Sequence, residues 1–285
     1  NTINELLFNA RSNRVRPALD DKCLTSWNGL MLKAYTDAYK TFNENHFLQK
    51  AIKNGEFILT KQIKKDGGLF HSYKNGKSTI NGFLEDYAFV IEAFISLYEI
   101  TLNETWLIEA DKLIEYTITH FYDEKSGMFF FTSNTDNSLI ARKMEIHDNV
   151  IPSSNSSLGK SLLYIGHILS KSVYKELATQ MLKNIEPEIT TYGPGYSNWA
   201  SLMLKYTYPF YELVIIGEEA KKIQTKMLAY YLPNTIIIGN QANNSEMDIL
   251  KYKYIENQTM IYICQNGACQ RPTTEINQAL SQIVY

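Results

Sequence analysis

Acidic side chains recur where predicted helices begin, a position from which they could act as general acids or bases. Asp21 lies in the first cluster, Glu85 and Asp86 in the second, and Asp148 in the third. The start of a helix favours negative charge, because its backbone N–H groups are unpaired and its dipole is positive there. Each carboxylate therefore has a structural alternative, in which it only caps a helix or anchors a loop.

The first cluster runs from Arg14 to Lys22 and leads directly into a predicted helix. It carries two adjacent carboxylates among two arginines and a lysine, so it could simply anchor a loop. If it lines a cleft instead, Arg16 and Asn28 can hydrogen-bond a polar ligand. Trp27 can then cover the C–H face of a sugar ring, although packing in a helical core is the common role of an aromatic residue.

The second cluster, Gly82 to Ala88, opens a helix whose residues are apolar almost all round. Such a helix is buried, and an unpaired carboxylate on it would be costly. Adjacent helical residues lie about 100° apart around the axis, so Glu85 and Asp86 are expected to have different roles. Tyr87 is a second candidate for stacking on a sugar.

The third cluster extends from His147 to Ser156. Pro152 fixes a turn, and the serines that follow it can cap the next helix. Capping explains those serines better than it explains Asp148 and Asn155. We therefore keep Asp148 as a candidate catalytic residue and Asn155 as a candidate ligand-binding residue.

Two histidines lie in or near these clusters, and either could move a proton near neutral pH. His71 precedes the second cluster, and His147 belongs to the third. The alternative for each is a hydrogen-bonded structural role. No grouping of His, Cys, Asp and Glu has the spacing of a metal site, and no glycine-rich nucleotide motif is present, so the sequence predicts no metal and no cofactor.

Cys264 and Cys269 are separated by four residues, which is not the C-x-x-C spacing of redox or zinc motifs. Two free thiols, a disulfide and a redox-active pair all remain open.

Amphipathic helices come in pairs over the first two thirds of the chain. Apolar residues at helical spacing predict a first helix from Ser26 to Phe42, with Thr25 or Ser26 as its N-cap. Later pairs repeat this design after a hairpin or an irregular loop. In a ring of antiparallel hairpins all inner helices point the same way, so the three clusters are expected to converge on one face and build a cleft.

The pattern changes after Pro209, where Leu213 to Gly217 reads as a buried strand and further strands alternate with helices. We therefore predict a mainly α protein, an (α/α) toroid of helical hairpins over residues 1–209, with a small α/β appendage over residues 210–285 packed on it.

Composition excludes several classes of protein. The net charge of -2 gives no bulk attraction to nucleic acid, and no apolar run reaches the length of a membrane helix. Three cysteines argue against a secreted disulfide framework, so we expect a cytoplasmic protein. The chain begins at Asn1 rather than at Met, and we expect it to be part of a longer polypeptide.

The clusters resemble, in order, the motifs of a known family. The matching residues are Arg16-Pro17, Asp20-Asp21-Lys22, Leu24-Thr25, Trp27-Asn28-Gly29-Leu30-Met31, Gly82-Phe83-Leu84-Glu85-Asp86-Tyr87-Ala88, Asp148, Pro152-Ser153, Asn155-Ser156, Cys264, Cys269-Gln270 and Pro272. They are similar to the C-terminal region of the thioredoxin-domain-containing, spermatogenesis-associated protein family. The resemblance implies a six-hairpin glycosidase-like ring behind a thioredoxin-like domain. That domain and the first hairpins of the ring are absent from this chain, so the ring is expected to be incomplete here, with the remainder of a longer chain as its partner.

Three functions remain open, and whether the protein is an enzyme is left undecided. The first is binding of, or action on, a small carbohydrate in the cleft, where two carboxylates among Asp21, Glu85, Asp86 and Asp148 would serve as acid and base. The second is a non-catalytic scaffold attached to the thioredoxin-like domain. The third is a sugar epimerase or isomerase that uses His71 and His147.

Overall fold

The computed structural model describes residues 2–137 and 140–284. Helices make up most of the first three quarters of the chain. They are α1 (Thr2–Ser12), α2 (Thr25–Phe42), α3 (Asn45–Phe57), α4 (Leu84–Thr101), α5 (Thr105–Phe121), α6 (Ser154–Ile168), α7 (Ser172–Ile189), α8 (Ser197–Thr207), α9 (Ala220–Met227) and α10 (Ile276–Leu280).

The strands form three small sheets. They are β1 (Cys23–Leu24), β2 (Phe70–Lys74), β3 (Lys77–Asn81), β4 (Tyr122–Asp123), β5 (Met128–Phe129), β6 (Tyr211–Ile216), β7 (Thr235–Asn240), β8 (Met260–Gln265) and β9 (Ala268–Cys269). The sheets have the orders β1-β2-β3, β4-β5 and β7-β6-β8-β9.

Three helical hairpins, α2/α3, α4/α5 and α6/α7, are followed by α8. The first helices of the hairpins lie side by side, α2 against α4 and α4 against α6, and α8 continues the row. The helices α4 and α6 are buried almost all round, as their apolar sequences predict, whereas α3, α5 and α7 bury one face. This architecture confirms the predicted mainly α fold, an arc of an (α/α) toroid of helical hairpins.

Short β-hairpins return the chain to the end of the arc at which the inner helices begin. The β2–β3 hairpin turns at Asn75-Gly76, where both residues have positive φ, as the Asn-Gly pair predicts. It leads into α4, and the β4–β5 hairpin precedes the loop that leads into α6. The N-terminal ends of α2 and α4 therefore meet beside β2, which carries His71.

The α/β segment begins at β6, after α8 ends at Thr207. The strands β6 and β7 are parallel and are joined through α9, while β8 is antiparallel to β6. One face of this sheet joins the core of the helical arc through Val214, Ile216 and Ile238. The other face packs against residues of α9 and α10 in a second apolar cluster. Across the described residues, none of the helices combines the length and apolarity that crossing a bilayer requires.

Candidate functional site

Asp86, in the first turn of α4, ties three segments together. Its Oδ1 accepts a hydrogen bond from the backbone N–H of Ser26 in α2 at 2.8 Å. Its Oδ2 accepts from the backbone N–H of Phe83 and from Nδ1 of His71, both at 2.9 Å. Burial raises the pKa of Asp86, and the hydrogen bonds from His71 and the backbone oppose that rise. The side chain is fully buried, so Asp86 holds the site together without facing a ligand.

Glu85 is half-buried and lies in the same turn of α4. Its Oε1 accepts a hydrogen bond from Oγ of Ser26 at 3.3 Å. Desolvation raises the pKa of Glu85, and the negative charges of Asp86 and Glu145 raise it further. A carboxyl group that keeps its proton above the usual range is suited to general acid catalysis. Glu85 and Asp86 thus lie in different environments, and their difference in role stays a prediction.

His71 projects from β2 and completes the cluster. Its hydrogen bond to Asp86 raises its pKa, while burial of the imidazole opposes the rise. His71, Glu85 and Asp86 offer nitrogen and oxygen atoms that lie within 4.8 Å of one another. A metal ion could use such a set, but both oxygens of Asp86 already accept hydrogen bonds from N–H donors. The hydrogen bonds account for this geometry without an ion.

Glu145 lies on the loop before α6 and acts on Glu85 through its charge, although the sequence pattern did not single it out. Its Oε2 accepts from the backbone N–H of Ser154 at 3.0 Å, which caps the first turn of α6. It is half-buried, and its charge raises the pKa of Glu85. The signal that could have identified it is its place three residues before Asp148, just outside the third cluster.

Asp148 accepts hydrogen bonds from the starts of α6 and α8, as Asp86 does from the starts of α4 and α2. Its Oδ1 accepts from the backbone N–H of Ser153 at 2.9 Å and from Oγ of Ser156 at 2.7 Å. Its Oδ2 accepts from the backbone N–H of Asn198, in the first turn of α8, at 2.8 Å. Ser153 is also the N-cap of α6, as predicted. With 8% of its surface exposed, Asp148 is placed to fasten two helix starts rather than to meet a substrate.

Two predicted ligand-binding side chains are fully buried and occupied by protein groups. The hydroxyl of Tyr87 accepts from the backbone N–H of Leu69 at 2.8 Å, and its ring stacks on Tyr116. Asn155 exchanges two hydrogen bonds, each of 2.9 Å, with the backbone of Phe129. Both side chains were expected to reach a cleft because they stand near helix starts. Both side chains are oriented toward the core, so neither presents a free face to a sugar.

The first cluster lies at the surface. Asp21 forms an ion pair with Lys74 at the end of β2, and this contact lowers the pKa of Asp21. Arg16 is exposed in the segment before β1. In the part of the chain that the structure describes, no hydrogen bond joins Asp21 to the Asp86 cluster. The structure therefore separates Asp21 from the carboxylates of α4.

Trp27 and Asn28 follow Ser26 in the first turn of α2. Trp27 is 65% exposed, whereas Trp106 and Trp199 are buried in the core. Asn28 is half-buried and donates through Nδ2 to the backbone carbonyl of Leu24 at 2.8 Å. Trp27 therefore offers an aromatic surface next to the residue that contacts both Glu85 and Asp86.

His147 belongs to a different network from His71. Its Nε2 lies 2.9 Å from the hydroxyl of Tyr196, which donates to Oε2 of Glu188 at 2.5 Å. The hydroxyl has one proton, so His147 is the donor to Tyr196. The hydrogen-bond partners of the two histidines do not overlap, and the predicted pair is not assembled into one cluster.

The two candidate redox cysteines are joined. A disulfide links Cys264 of β8 to Cys269 of β9, while Cys23 is free and exposed. The disulfide lies on the α/β segment, apart from the N-terminal ends of the inner helices.

Comparison with known proteins supports the resemblance seen in the motifs. The chain is 25% identical to human spermatogenesis-associated protein 20 over 95% of its length, and 24% identical to the rat protein of that name over 96%. It is 26% identical to uncharacterized protein B0495.5 of Caenorhabditis elegans over 96% of its length. The chain spans 37–39% of the length of these relatives. The expected resemblance to the spermatogenesis-associated, thioredoxin-domain-containing proteins is thereby confirmed.

The chain matches no model of a protein family. Among solved structures, it aligns with an α-mannanase of glycoside hydrolase family 76 from Bacteroides thetaiotaomicron, with a TM-score of 0.49, 18% identity, and coverage of 62% of this chain and 46% of that one. It also aligns with cellobiose 2-epimerase from Bacillus thermoamylovorans, with a TM-score of 0.49, 15% identity, and coverage of 57% and 44%.

Proposed function

We propose that this domain binds a carbohydrate at the N-terminal ends of α2, α4 and α6, and that Glu85 donates a proton to it in the complete protein. The observation that carries the proposal is the environment of Glu85. Its carboxyl group is half-buried, and desolvation together with two neighbouring carboxylates raises its pKa. Glycosidic bond cleavage uses two carboxyl groups, and a raised pKa suits the one that acts as general acid.

Glu145 is the proposed second carboxylate. One of its oxygens caps α6, which holds the side chain in place, and its charge raises the pKa of Glu85. Asp86 and Asp148 are not proposed as catalytic residues, since the oxygens of both already accept several hydrogen bonds. Trp27 supplies the stacking surface in this proposal, and Arg16 and Asn28 supply polar contacts from the adjoining segment.

A second candidate function is sugar epimerisation or isomerisation, and the hydrogen bond between His71 and Asp86 favours it. A histidine held through Nδ1 by a carboxylate presents Nε2 as an oriented base. His147 lies in another network, so a different group would have to provide the second proton transfer. This candidate therefore ranks below the first.

A third candidate is a scaffold role beside the remaining part of a longer chain. It is favoured by the length of the relatives, because this chain spans 37–39% of them. We propose the cytoplasm as the location for all three functions, in keeping with the exposed free thiol of Cys23.

Tryptophan fluorescence gives a direct test, because Trp27 is exposed and the other two tryptophans are buried. The protein would be screened against an array of neutral mono- and oligosaccharides, and each hit titrated while fluorescence is recorded. We expect Trp27→Ala to remove the fluorescence change and to weaken binding about fivefold, since stacking on one aromatic ring contributes of the order of 1 kcal/mol.

Catalysis would be tested in the full-length protein with Glu85→Gln. We expect sugar binding to persist while turnover falls by at least about 100-fold, the usual contribution of a general acid. Glu186→Gln, at an exposed position on the outer helix α7, is the matched control. Binding without turnover would favour the scaffold. Loss of turnover in His71→Gln with Glu85→Gln unaffected would favour the epimerase, and absence of any sugar binding would refute the proposal.

A further inference from the structure

The β8–β9 hairpin brings two cysteines directly opposite each other. The strands are joined by a two-residue turn, Asn266-Gly267, whose φ angles are 49° and 80°. Asn-Gly is the residue pair that such tight hairpin turns favour. The register then pairs Cys264 with Cys269, and a disulfide joins them. The turn chemistry places the two sulfur atoms together.

The two cysteines differ in access. Cys264 is fully buried, and it belongs to the apolar cluster between the sheet and the helices. Cys269 is exposed on the short outer strand β9. A thiolate arriving from solvent can therefore reach the sulfur of Cys269 and not that of Cys264. Access of this kind decides which sulfur atom of a disulfide is attacked.

The hairpin is also held by contacts that do not depend on the disulfide. Glu212 of β6 stands opposite Cys264 in the ladder and is buried. Its Oε2 accepts from the backbone N–H of Gly267 in the turn at 3.0 Å, and its Oε1 lies 2.7 Å from Nδ1 of His167 in α6. Breaking the disulfide leaves this anchor and the β6–β8 ladder in place. The dithiol form can thus keep its two sulfur atoms adjacent and ready to be oxidised again.

We propose that Cys264 and Cys269 form a reversible redox site that exchanges with an external dithiol. A thiolate of the dithiol attacks Sγ of Cys269, the bond between the two cysteines breaks, and its electron pair leaves on Sγ of Cys264, which takes up a proton. The second thiolate of the reductant then attacks the reductant's first sulfur atom, which is bonded to Sγ of Cys269 in the mixed disulfide. Cys269 is released as a thiolate and takes up a proton. The reductant becomes a disulfide, and the two cysteines gain two electrons and two protons.

Reduction of the whole chain tests reversibility. In a Cys23→Ser background, which removes the exposed free thiol, the native protein would be treated with millimolar dithiothreitol, alkylated and analysed by mass spectrometry. We expect both cysteines to be alkylated while the circular dichroism spectrum is unchanged, and the disulfide to return with oxidised dithiothreitol. A disulfide that reacts only after urea unfolds the protein would overturn the proposal. So would two reduced cysteines that remain free thiols when the protein is returned to aerated buffer.

Single variants test the direction of attack. In the same background, Cys264→Ser leaves the exposed thiol and Cys269→Ser leaves the buried one. We expect the first to react with an aromatic disulfide reagent at least about 100-fold faster than the second, because reactivity follows access. Equal rates in two variants that both retain the wild-type circular dichroism spectrum would contradict the assignment of Cys269 as the attacked sulfur. The measurement is independent of sugar binding.

Discussion

Ser26 and Asp86 are 60 positions apart, yet a 2.8 Å hydrogen bond joins the backbone N–H of Ser26 to Oδ1 of Asp86. The N-cap position of α2 is occupied by Leu24, which provides no side-chain cap. The neighbouring inner helix therefore supplies the carboxylate that caps α2. Asp148 does the same for α8 through Asn198. Two buried aspartates thus fasten the starts of adjacent inner helices to one another.

The replacement Asp86→Asn tests this fastening. An amide can accept fewer of the N–H donors that surround Asp86, so one or more becomes unpaired in a buried place. We expect the free energy of unfolding to fall by about 2–4 kcal/mol. Urea denaturation followed by circular dichroism measures the change.

Asp37→Asn is the control for this replacement, because Asp37 is an exposed residue of α2 whose partner is Lys33. An exposed ion pair contributes about 0–1 kcal/mol. If the two variants lost equal stability, Asp86 would have no special part in joining α2 to α4.

The replacement Asp148→Asn should loosen α8 more than the rest of the arc. Asp148 caps α8 from outside, and α8 buries few residues of its own. We expect backbone amides at the start of α8 to exchange with deuterium about fivefold faster, in line with the loss of one capping interaction of the order of 1 kcal/mol. Hydrogen exchange with mass spectrometry provides the measurement, and unchanged protection of α8 would argue against the cap.

The fold was predictable from sequence because helical hairpins leave a periodic apolar pattern. The predicted first helix, Ser26 to Phe42, differs from α2 by one residue. The cap of that helix was not predictable in the same way. Thr25 and Ser26 were the expected N-caps by residue type, but the capping carboxylate comes from Asp86, and a contact across such a separation leaves no local signal.

In the candidate site, too, local patterns were predictable from the sequence and tertiary contacts were not. The sequence placed Glu85 and Asp86 in the first turn of a buried helix and predicted that they would differ in role, because adjacent helical residues face different directions. It did not identify Glu145, whose importance depends on the tertiary approach of the α6 loop to α4. It also assigned Tyr87 and Asn155 to a ligand, although both side chains point into the core.

The pairing of His71 with Asp86 predicts a pH dependence of stability. The hydrogen bond that His71 donates to Asp86 raises the pKa of His71 above its ordinary value of 6.5. A raised pKa in the folded state means that the stabilisation is complete below the unfolded pKa and is lost as the pH rises through the folded one. We expect His71→Gln to cost more stability at pH 6 than at a pH above the raised pKa, as urea denaturation at both pH values would reveal.

Imidazole NMR gives the matching observation. In Asp86→Asn the pKa of His71 should fall, since the carboxylate is the main cause of its rise. His46, an exposed histidine of α3, gives a second imidazole signal for comparison. A pKa of His71 that is indifferent to Asp86→Asn would contradict the proposed ion pair.

The environment of Glu85 predicts opposite effects of two neighbours on its titration. The charge of Glu145 raises the pKa of Glu85, whereas the hydrogen bond from Ser26 lowers it. We therefore expect Glu145→Gln to lower the pKa of Glu85 and Ser26→Ala to raise it. Side-chain carbon NMR of the glutamate carboxyl groups would follow both shifts. Shifts of the same sign in both variants would refute the electrostatic account of Glu85.

Close packing of α2 on α4 yields a prediction about Gly29, which lies one turn beyond Ser26. A Cβ atom at this position would stand 2.9 Å from the carbonyl carbon of Phe89 and 3.0 Å from the backbone nitrogen of Val90. These are backbone atoms of a buried helix, so they cannot move aside as a flexible side chain would. Gly29→Ala must therefore push α2 away from α4, and we expect it to destabilise the protein by about 1–3 kcal/mol even though alanine is the better helix former.

Gly193→Ala is the control, because a Cβ there meets no atom within 4 Å. The displacement should also weaken the hydrogen bonds that Ser26 makes to Asp86 and Glu85, so the pKa of Glu85 should rise in Gly29→Ala and stay constant in Gly193→Ala. A Gly29→Ala protein as stable as the wild type would show that the starts of α2 and α4 are not held in this close contact.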